Sequence, residues 1–421
     1  MIFIMDDLQI TLYITLNENI NEKLGTLYTY YNKQKEQYSF KIDEEFLNNH
    51  PSFFLDPDIY NISPRQFPPI NKSIFGFLLD SSPNRWGRTL IKRKEELVSY
   101  KNKTPLKALS ELDYILNIVD ETRMGSIRFS SNNNKEVFNS FTIPLVKELK
   151  NIVKYIENYE KAKGDITKIN ERELDYLLFS SSSLGGARPK VNVKDEKGVM
   201  YIAKLPSIYD KWDVCAWEYV ANRLASLCGL HTASTSFMKI NGKGVLFSRR
   251  FDRNNKGERI HYSSSMTVLG QVDNISSHKN VSYLDIASFI KEHCSNNVNE
   301  NLKELFMRIL FNILIKNTDD HLRNHGFLYI NGSYTLSPLF DVNPTIDKNH
   351  LSLFINDNKD NNLNHLILID VAPFFNISQK EANQYYEKMK EIINDNWRKI
   401  SGEIGIKEKE IRLMEKAFIA S

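Results

Sequence analysis

A polar loop that follows an apolar helical stretch holds the residues best suited to chemistry. The segment Asn317–Asn324 reads Asn-Thr-Asp-Asp-His-Leu-Arg-Asn and comes directly after Leu302–Ile315. A carboxylate such as Asp319 can accept the proton of a hydroxyl group, and the amide oxygen of Asn324 can bind a metal ion. The same residues also suit a loop that is capped by its own Asn and Asp side chains. The loop alone leaves both interpretations open.

A second carboxylate follows the loop after a predicted hairpin. Asp341 comes behind the segments Phe327–Ile330 and Tyr334–Leu336, which an Asn331-Gly332 turn joins, and we expect it at the end of a short strand. Protein kinases arrange a catalytic loop and a metal-binding Asp in this order. Mg²⁺ prefers such oxygen ligands together with substrate phosphates. Taken by itself, Asp341 also fits a turn-capping role.

A run of serines and glycines precedes a strand that carries one lysine. In residues 180–190, Gly185 and Gly186 beside hydroxyl residues would let backbone N–H groups approach phosphate oxygens. The run is neither a Walker A nor a GxGxxG motif, and a flexible loop is the alternative. Lys204 lies in the predicted strand Tyr201–Leu205, like the phosphate-pairing lysine of kinases, although such a lysine can also be an edge residue.

An apolar strand that runs into a polar extended segment suits a nucleotide base. Val245–Phe247 is followed by the mostly polar segment Ser248–Arg253, which includes Arg249. Backbone groups here could bind the edge of an adenine ring while apolar side chains cover its faces. An ordinary amphipathic strand is the alternative interpretation.

The elements that must position these residues are short strands and helices. Strict alternation over Leu8–Leu16 predicts a half-buried strand, which forms a small antiparallel sheet with Lys23–Leu27 and Tyr38–Ile42. Further hairpins are predicted over Val191–Leu205 and Thr235–Phe251. Helices are predicted over Ser73–Leu79, Pro83–Val98 with Pro83 in its first turn, Pro144–Lys161, Arg172–Phe179, Trp212–Leu227 and from Ser378 onwards. The asparagine-rich linker Ser130–Asn139 is the candidate domain boundary.

Composition excludes several classes of protein. The 421 residues suffice for two or three subdomains, and 41% hydrophobic with 25% charged residues is typical of a folded soluble protein. A net charge of +3 gives no general attraction to nucleic acid or anionic lipid. We expect neither a membrane span nor a secretory signal. The three widely spaced cysteines fit neither a disulfide framework nor a zinc site, so we expect a cytoplasmic location.

One stretch is strongly basic in spite of the near-neutral total. Arg85–Lys107 carries eight basic and two acidic residues. Such runs usually form a solvated helix face, and that interpretation is favoured over a partner-binding patch.

Several of these motifs occur together in one order, and the set resembles the HipA family of serine/threonine kinase toxins. The residues that carry the resemblance are Ser183–Lys190, Ile202–Pro206, Ser248–Arg253, Asn317–Asn324 and Leu339–Val342. The stretch Phe75–Leu90 is similar to the N-terminal subdomain of that family, with Asn84 where the family has an Asp. The likeness covers nearly the whole chain.

The resemblance implies a protein-kinase-like α+β fold of two lobes, with a small β-rich N-terminal subdomain and a mainly helical C-terminal lobe. It divides the chain into an N-terminal subdomain (1–135), an ATP-binding part with the Ser/Gly loop (136–255) and a helical catalytic lobe (256–421).

The resemblance also implies a role for each site residue, with ATP and Mg²⁺ as cofactors. Asp319 would be the catalytic base, Asn324 and Asp341 would hold Mg²⁺, and Lys204 would pair with the phosphates of ATP. Further ATP contacts would come from Ser183, Gly185, Gly186, Ala187, Lys190, Phe247, Ser248, Arg249 and His321.

The leading serine of the Ser/Gly loop is a site of autophosphorylation in the family, where the modification ejects the loop and silences the enzyme. Ser183 is the aligned residue. Because four serines are consecutive, Ser180, Ser181 and Ser182 stay open as alternatives. Arg188-Pro189 replaces a Gln-Glu pair of the family pattern, which leaves the mobility of the loop open.

The resemblance implies a protein substrate, such as an aminoacyl-tRNA synthetase, and a small helix-turn-helix (HipB-like) antitoxin as partner. We find no helix-turn-helix in this sequence, so DNA contact would be indirect or would use the basic face, and no membrane is involved. Two alternatives remain: a small-molecule phosphotransferase on the same fold, or a non-catalytic regulator. A missing base or metal residue would favour the regulator, and none is missing.

Overall fold

The computed structural model describes residues 8–16, 20–32, 35–131, 141–181, 186, 188–272 and 281–418. The chain divides into two compact units. The first unit comprises Met1–Ile202, Asp252–Val272 and Tyr329–Gly332, and the second comprises Ala203–Phe251, Asp273–Leu328 and Ser333–Ser421. The predicted three-part division stays a prediction, and most of its candidate boundary at 130–139 lies outside the described residues.

Helices and strands occur in both units, which confirms the predicted α+β class. The strands are β1 Gln9–Thr15, β2 Asn21–Asn32, β3 Lys35–Ile42, β4 Arg128–Ser131, β5 Lys190–Lys194, β6 Met200–Lys204, β7 Thr235–Ile240, β8 Lys243–Arg249, β9 His261–Ser264, β10 Gly326–Ile330 and β11 Ser333–Leu336. The helices are α1 Glu44–Asn49, α2 Gly76–Leu79, α3 Arg85–Asn102, α4 Glu111–Leu116, α5 Leu149–Lys161, α6 Glu171–Ser180, α7 Val214–Leu227, α8 Ser265–Val268, α9 Tyr283–His293, α10 Val298–Leu314, α11 His365–Asp370, α12 Gln379–Glu403 and α13 Glu408–Phe418.

The N-terminal sheet of the first unit has the strand order β3-β2-β1-β4, and its pairs are antiparallel. The predicted sheet is therefore confirmed, with β4 as an additional strand. The prediction that β1 is half-buried was wrong, because residues on both of its faces, such as Leu12 and Thr11, are buried. Strand β1 lies between two neighbours and is covered on both faces, so its threonine and tyrosine side chains fill the second face.

Helix α3 begins two residues later than the pattern predicted. Its N-cap is Asn84, whose side chain accepts a hydrogen bond from the Gly87 amide at 2.7 Å, so Pro83 lies outside the first turn. Asn and Asp cap helices about equally well. This equivalence gives a physical reason why Asn84 can stand where the family pattern has an Asp.

The second unit is mainly helical. Helix α10 forms its centre, and residues 308–314 of this helix are all buried. The β7–β8 hairpin turns at Asn241 and Gly242, which both have positive φ, as a two-residue type I′ turn requires. Within the described ranges, no helix has both the length and the apolar character needed to span a membrane.

Candidate active site

The lysine of β6 lies at the centre of a buried group of charges in the second unit. Lys204 Nζ is 2.5 Å from Glu218 Oε1 and 2.5 Å from Asp341 Oδ1, and only 12% of its side chain is exposed. Burial alone would lower the pKa of Lys204, but the charges of Asp341 and Glu218 outweigh it and raise the pKa above its ordinary value. The group is therefore an ammonium at neutral pH, fixed between two carboxylates.

Glu218 contacts Lys204 in this group, and sequence reasoning missed it. It lies in the first half of α7, which begins after the N-cap Asp213, and its side chain is 9% exposed. A single carboxylate inside the apolar run Val214–Val220 was the available signal, because charged residues are rarely buried without a partner. The partner is Lys204, which belongs to a different element but is adjacent in the fold.

The sequence predicted that Asp341 ends a short strand, and this prediction was wrong. Leu339 forms an isolated bridge with Thr232, and Asp341 follows it with a φ of +58°. Short polar side chains such as Asp tolerate this left-handed conformation better than most residues. The side chain of Asn343 donates a hydrogen bond to Asp341 Oδ1 at 3.3 Å, so the carboxylate is held by an amide as well as by Lys204.

The loop Asn317–Asn324 combines one exposed carboxylate with buried supports. Asp319 is exposed, and no hydrogen bond from a described residue reaches its carboxylate. Asn324 is buried and donates from Nδ2 to the carbonyl oxygen of Asp319 at 3.2 Å. Its Oδ1 is therefore the atom that can bind a cation. His321 is partly exposed, and its Nδ1 has no partner among the described groups.

A fully buried triad fixes the residue next to Asp319. Asp320 Oδ2 accepts a hydrogen bond from the Tyr283 hydroxyl at 2.6 Å and lies 2.7 Å from His325 Nε2. Burial would raise the pKa of Asp320, but the charge and hydrogen bonds of His325 and Tyr283 outweigh it and lower the pKa. Burial and the neighbouring carboxylate raise the pKa of Tyr283 well above its ordinary value. The triad anchors the loop to α9 and to the start of β10.

The Ser/Gly loop belongs to the first unit, and Ser182, Ser183, Gly185 and Ala187 lie outside the described residues. Ser180 and Ser181 are buried, and Ser180 Oγ donates to the carbonyl oxygen of Tyr176 at 2.7 Å. Gly186 has a φ of +99°, which suits glycine. Lys190 begins β5 and is buried. Burial of the first two serines weighs against them as phosphorylation sites.

The predicted adenine contacts lie at the end of β8. Phe247 is buried, and Ser248 is paired with Thr235 on β7. The backbone amide of Arg249 donates to the carbonyl oxygen of Ser234 at 2.9 Å. This amide is therefore engaged within the fold, and the assignment of Phe247, Ser248 and Arg249 to adenine stays a prediction.

The donor atoms of this site fit Mg²⁺ better than a transition metal. Asp341 and Asn324 offer a carboxylate and an amide oxygen, and Mg²⁺ is commonly held by one or two carboxylates plus substrate phosphates. In the part of the chain that the structure describes, no group of three or more His, Cys, Asp or Glu side chains could hold a metal ion. A site that depends on substrate phosphates needs no such group.

The basic stretch on α3 is largely neutralised by acids of the first unit. Lys94 pairs with both Glu171 and Asp175 of α6, and Arg88 pairs with Glu111 of α4. Arg93, Lys101 and Lys107 also form ion pairs. These pairs support the interpretation of a solvated helix face rather than a partner-binding patch.

Comparisons with known proteins agree with the resemblance seen in the sequence. The family model of the HipA-like C-terminal domain matches residues 182–397. A putative kinase of Haemophilus influenzae is 34% identical over 178 residues, which are 38% of this chain and 51% of the relative. This chain therefore spans about half the length of the curated relative that it matches.

A solved structure extends the likeness to the whole fold. It is the complex of HipA, HipB and operator DNA from Shewanella oneidensis MR-1, and its similar chain is 16% identical to this one with a TM-score of 0.67. The match covers 97% of this chain and 95% of the other. At this identity the match shows a shared fold, which confirms the predicted fold class.

Proposed function

Because this chain belongs to the family of the HipA-like C-terminal domain, we propose that it is an ATP-dependent serine/threonine protein kinase of the HipA toxin type. The observation that carries the proposal is the ammonium of Lys204, fixed between the buried acids Glu218 and Asp341. A preformed cation in contact with a carboxylate that could bind a metal ion suits the transfer of a phosphoryl group, which depends on positioning and charge.

Asp319 acts as the base in this proposal. Its carboxylate is exposed and has no partner among the described residues, so it can accept the proton of an acceptor hydroxyl. The buried Asp320 next to it cannot take this role, because Tyr283 and His325 already occupy its carboxylate. The two consecutive aspartates thus have different tasks, one chemical and one structural.

In this proposal Lys204 would pair with the phosphates of ATP, and Asp341 and Asn324 would hold Mg²⁺. When bound, Mg²⁺ neutralises charge on the phosphates. Adenine contacts from Phe247, Ser248 and Arg249, and nucleotide contacts from His321, Gly186 and Lys190, are part of the proposal. The same holds for Ser183, Gly185 and Ala187, which lie outside the described residues.

The proposed partners are a protein substrate, such as an aminoacyl-tRNA synthetase, and a HipB-like antitoxin through which DNA is contacted indirectly. Support for the antitoxin comes from the similar fold of the HipA chain that was solved with HipB and operator DNA. A cytoplasmic location follows from the same proposal.

The test is transfer from γ-labelled ATP by the purified protein, with Mg²⁺ or with a chelator. Acceptors are the protein itself, candidate synthetases and small hydroxyl compounds. We expect Mg²⁺-dependent labelling of protein. Labelling of a small compound alone would favour the small-molecule phosphotransferase, and absence of both ATP binding and transfer would overturn the proposal in favour of a non-catalytic regulator.

Autophosphorylation gives a second test. Mass spectrometry should find one phosphate within Ser180–Ser183, and we expect it on Ser182 or Ser183 because Ser180 and Ser181 are buried. A phosphate adds about −1.5 to −2 charge at neutral pH and would repel the phosphates of ATP. The Asp319→Asn variant should lack the modification. A phosphate on that variant, made alone, would show that another kinase had added it.

A further inference from the structure

Helix α13 is fastened to the beginning of α7, the helix that carries Glu218. Glu410 Oε1 accepts hydrogen bonds from Trp217 Nε1 at 2.7 Å and from the backbone amide of Asp213 at 3.0 Å. Asp213 is the N-cap of α7, and Trp217 lies in its first half. One carboxylate of α13 therefore holds two points of α7.

Packing of aromatic rings holds the C-terminal end of α13 against Trp217 of α7 as well. The ring of Phe418 is 5.8 Å from that of Trp217, and it stacks on Trp397 of α12 at 4.9 Å. Trp217 and Phe418 are each 1% exposed. The apolar face of α13 is buried as well, through Ile411 and Met414.

The contact between α13 and α7 is connected to the proposed phosphate site through the adjacent residues Trp217 and Glu218. Trp217 directly precedes Glu218, and Glu218 holds Lys204 at 2.5 Å. A helix is stiff over such a short distance, so a rotation or shift of Trp217 moves the carboxylate of Glu218 as well. The thiol of Cys215 also donates to the carbonyl oxygen of Lys204 at 3.4 Å, which ties the same turn of α7 to β6.

We propose that Glu410 is a positioning residue for Lys204: through Trp217 and Asp213 it sets α7 so that Glu218 stays on the ammonium. The expected effect of Glu410 on ATP binding rests on the proposed function. Its effect on the contact between Glu218 and Lys204 does not depend on ATP. A carboxylate suits this task because it can accept both hydrogen bonds, and because a negative charge near the N-terminus of a helix is stabilising.

The variants separate this role from general stability. Glu410→Ala removes both hydrogen bonds, whereas Glu410→Gln keeps an acceptor oxygen at the same position. The matched control is Glu408→Ala on the same helix, where the side chain is 62% exposed and pairs with the exposed Arg412.

The first measurement needs no nucleotide. Acylation of Lys204 by an amine-reactive reagent is followed by mass spectrometry, with the buried and ion-paired Lys72 of the first unit as internal reference. We expect Glu410→Ala to raise the labelling of Lys204 about fivefold or more relative to Lys72, which is the low end of typical coupling between sites. Glu410→Gln and Glu408→Ala should stay within about twofold of the wild type.

The second measurement is the Kd of Mg·ATP in a double-mutant cycle. Glu410→Ala should weaken binding about fivefold in the wild-type background and have little effect when Glu218→Gln is already present, because both changes act through one contact. Equal effects in both backgrounds would overturn the proposal, as would unchanged labelling of Lys204. If the labelling result holds but the wild type binds no ATP, the proposed function fails and the positioning role stands.

Discussion

Charged residues are concentrated in two regions of this chain, and the structure uses them in opposite ways. On α3, lysines and arginines such as Lys94 and Lys101 remain partly exposed and share the acids of neighbouring helices. In the second unit, Lys204, Glu218 and Asp341 are mostly buried and form one group in which the lysine contacts both acids. The sequence shows charge in both places, but only burial distinguishes them.

This difference in burial indicates which charged residues are suited to a catalytic or binding role. An exposed ion pair is screened by water and contributes little to stability. A buried charge is costly to desolvate and persists only where its partners are fixed, so a buried cation is more often functional. Substitutions in both regions, and at other buried polar residues, test this distinction.

Asp341→Ala should have the largest effect, because it removes both the proposed Mg²⁺ ligand and a partner of Lys204. We expect phosphoryl transfer to fall about 100-fold or more, together with Mg²⁺-dependent binding of ATP. Transfer rates and calorimetric titrations check this. The control is Asp347→Ala, an exposed aspartate of the same unit, and equal behaviour of the two variants would contradict the assignment of Asp341.

Asp56 provides a buried carboxylate without an ion pair among the described residues. It accepts from the backbone amides of Asp58 and Phe77, and burial raises its pKa to about 6. The folded state therefore binds the proton more tightly than the unfolded state. Stability should fall as pH rises from about 4 to about 6, by a total on the order of 3 kcal/mol, and then level off.

Denaturant titrations between about pH 4 and pH 7 measure this dependence, and Asp56→Asn should flatten it in that range. Many other groups titrate in this pH range. The test is therefore the difference between the wild type and Asp56→Asn in the slope of the free energy of unfolding against pH. The same slope in the wild type and in Asp56→Asn would show that Asp56 does not cause it.

Tyr283→Phe removes one hydrogen bond from the buried Asp320. An incompletely satisfied buried carboxylate costs about 1–3 kcal/mol of the free energy of unfolding. We also expect slower transfer with a nearly unchanged Kd of ATP, because the loop that carries Asp319 loses an anchor. The exposed Tyr60→Phe is the matched control. A loss of stability without any change in the transfer rate would limit the triad to a structural role.

Lys94→Ala should have the smallest effect. Its ion pairs with Glu171 and Asp175 are partly exposed, and such pairs contribute about 0.2–1 kcal/mol each at most. Phosphoryl transfer should stay unchanged, and added salt should reduce the difference in stability between variant and wild type. A large loss of transfer would mean that the basic face takes part in function.

The sequence allowed much of the fold and part of the site to be predicted. The β7–β8 hairpin was predicted within Thr235–Phe251, and its turn residues Asn241 and Gly242 have positive φ, because local backbone chemistry decides such turns. Glu218, Tyr283 and Glu410 were missed, because their roles depend on contacts with residues of other elements. The left-handed backbone of Asp341 was missed for the same reason: tertiary contacts, including Lys204, hold it there.

The most direct test of the kinase assignment is to measure both ATP binding and phosphoryl transfer in the Asp319→Asn variant. Asp319 is exposed and has no described partner, so the substitution should leave the fold intact, and Asp347→Asn is its matched control. Loss of a general base typically costs about 10²–10⁴-fold. We predict that transfer falls at least about 100-fold while the Kd of Mg·ATP stays within about twofold of the wild type. A transfer rate within about tenfold of the wild type would contradict the assignment of Asp319 as the base.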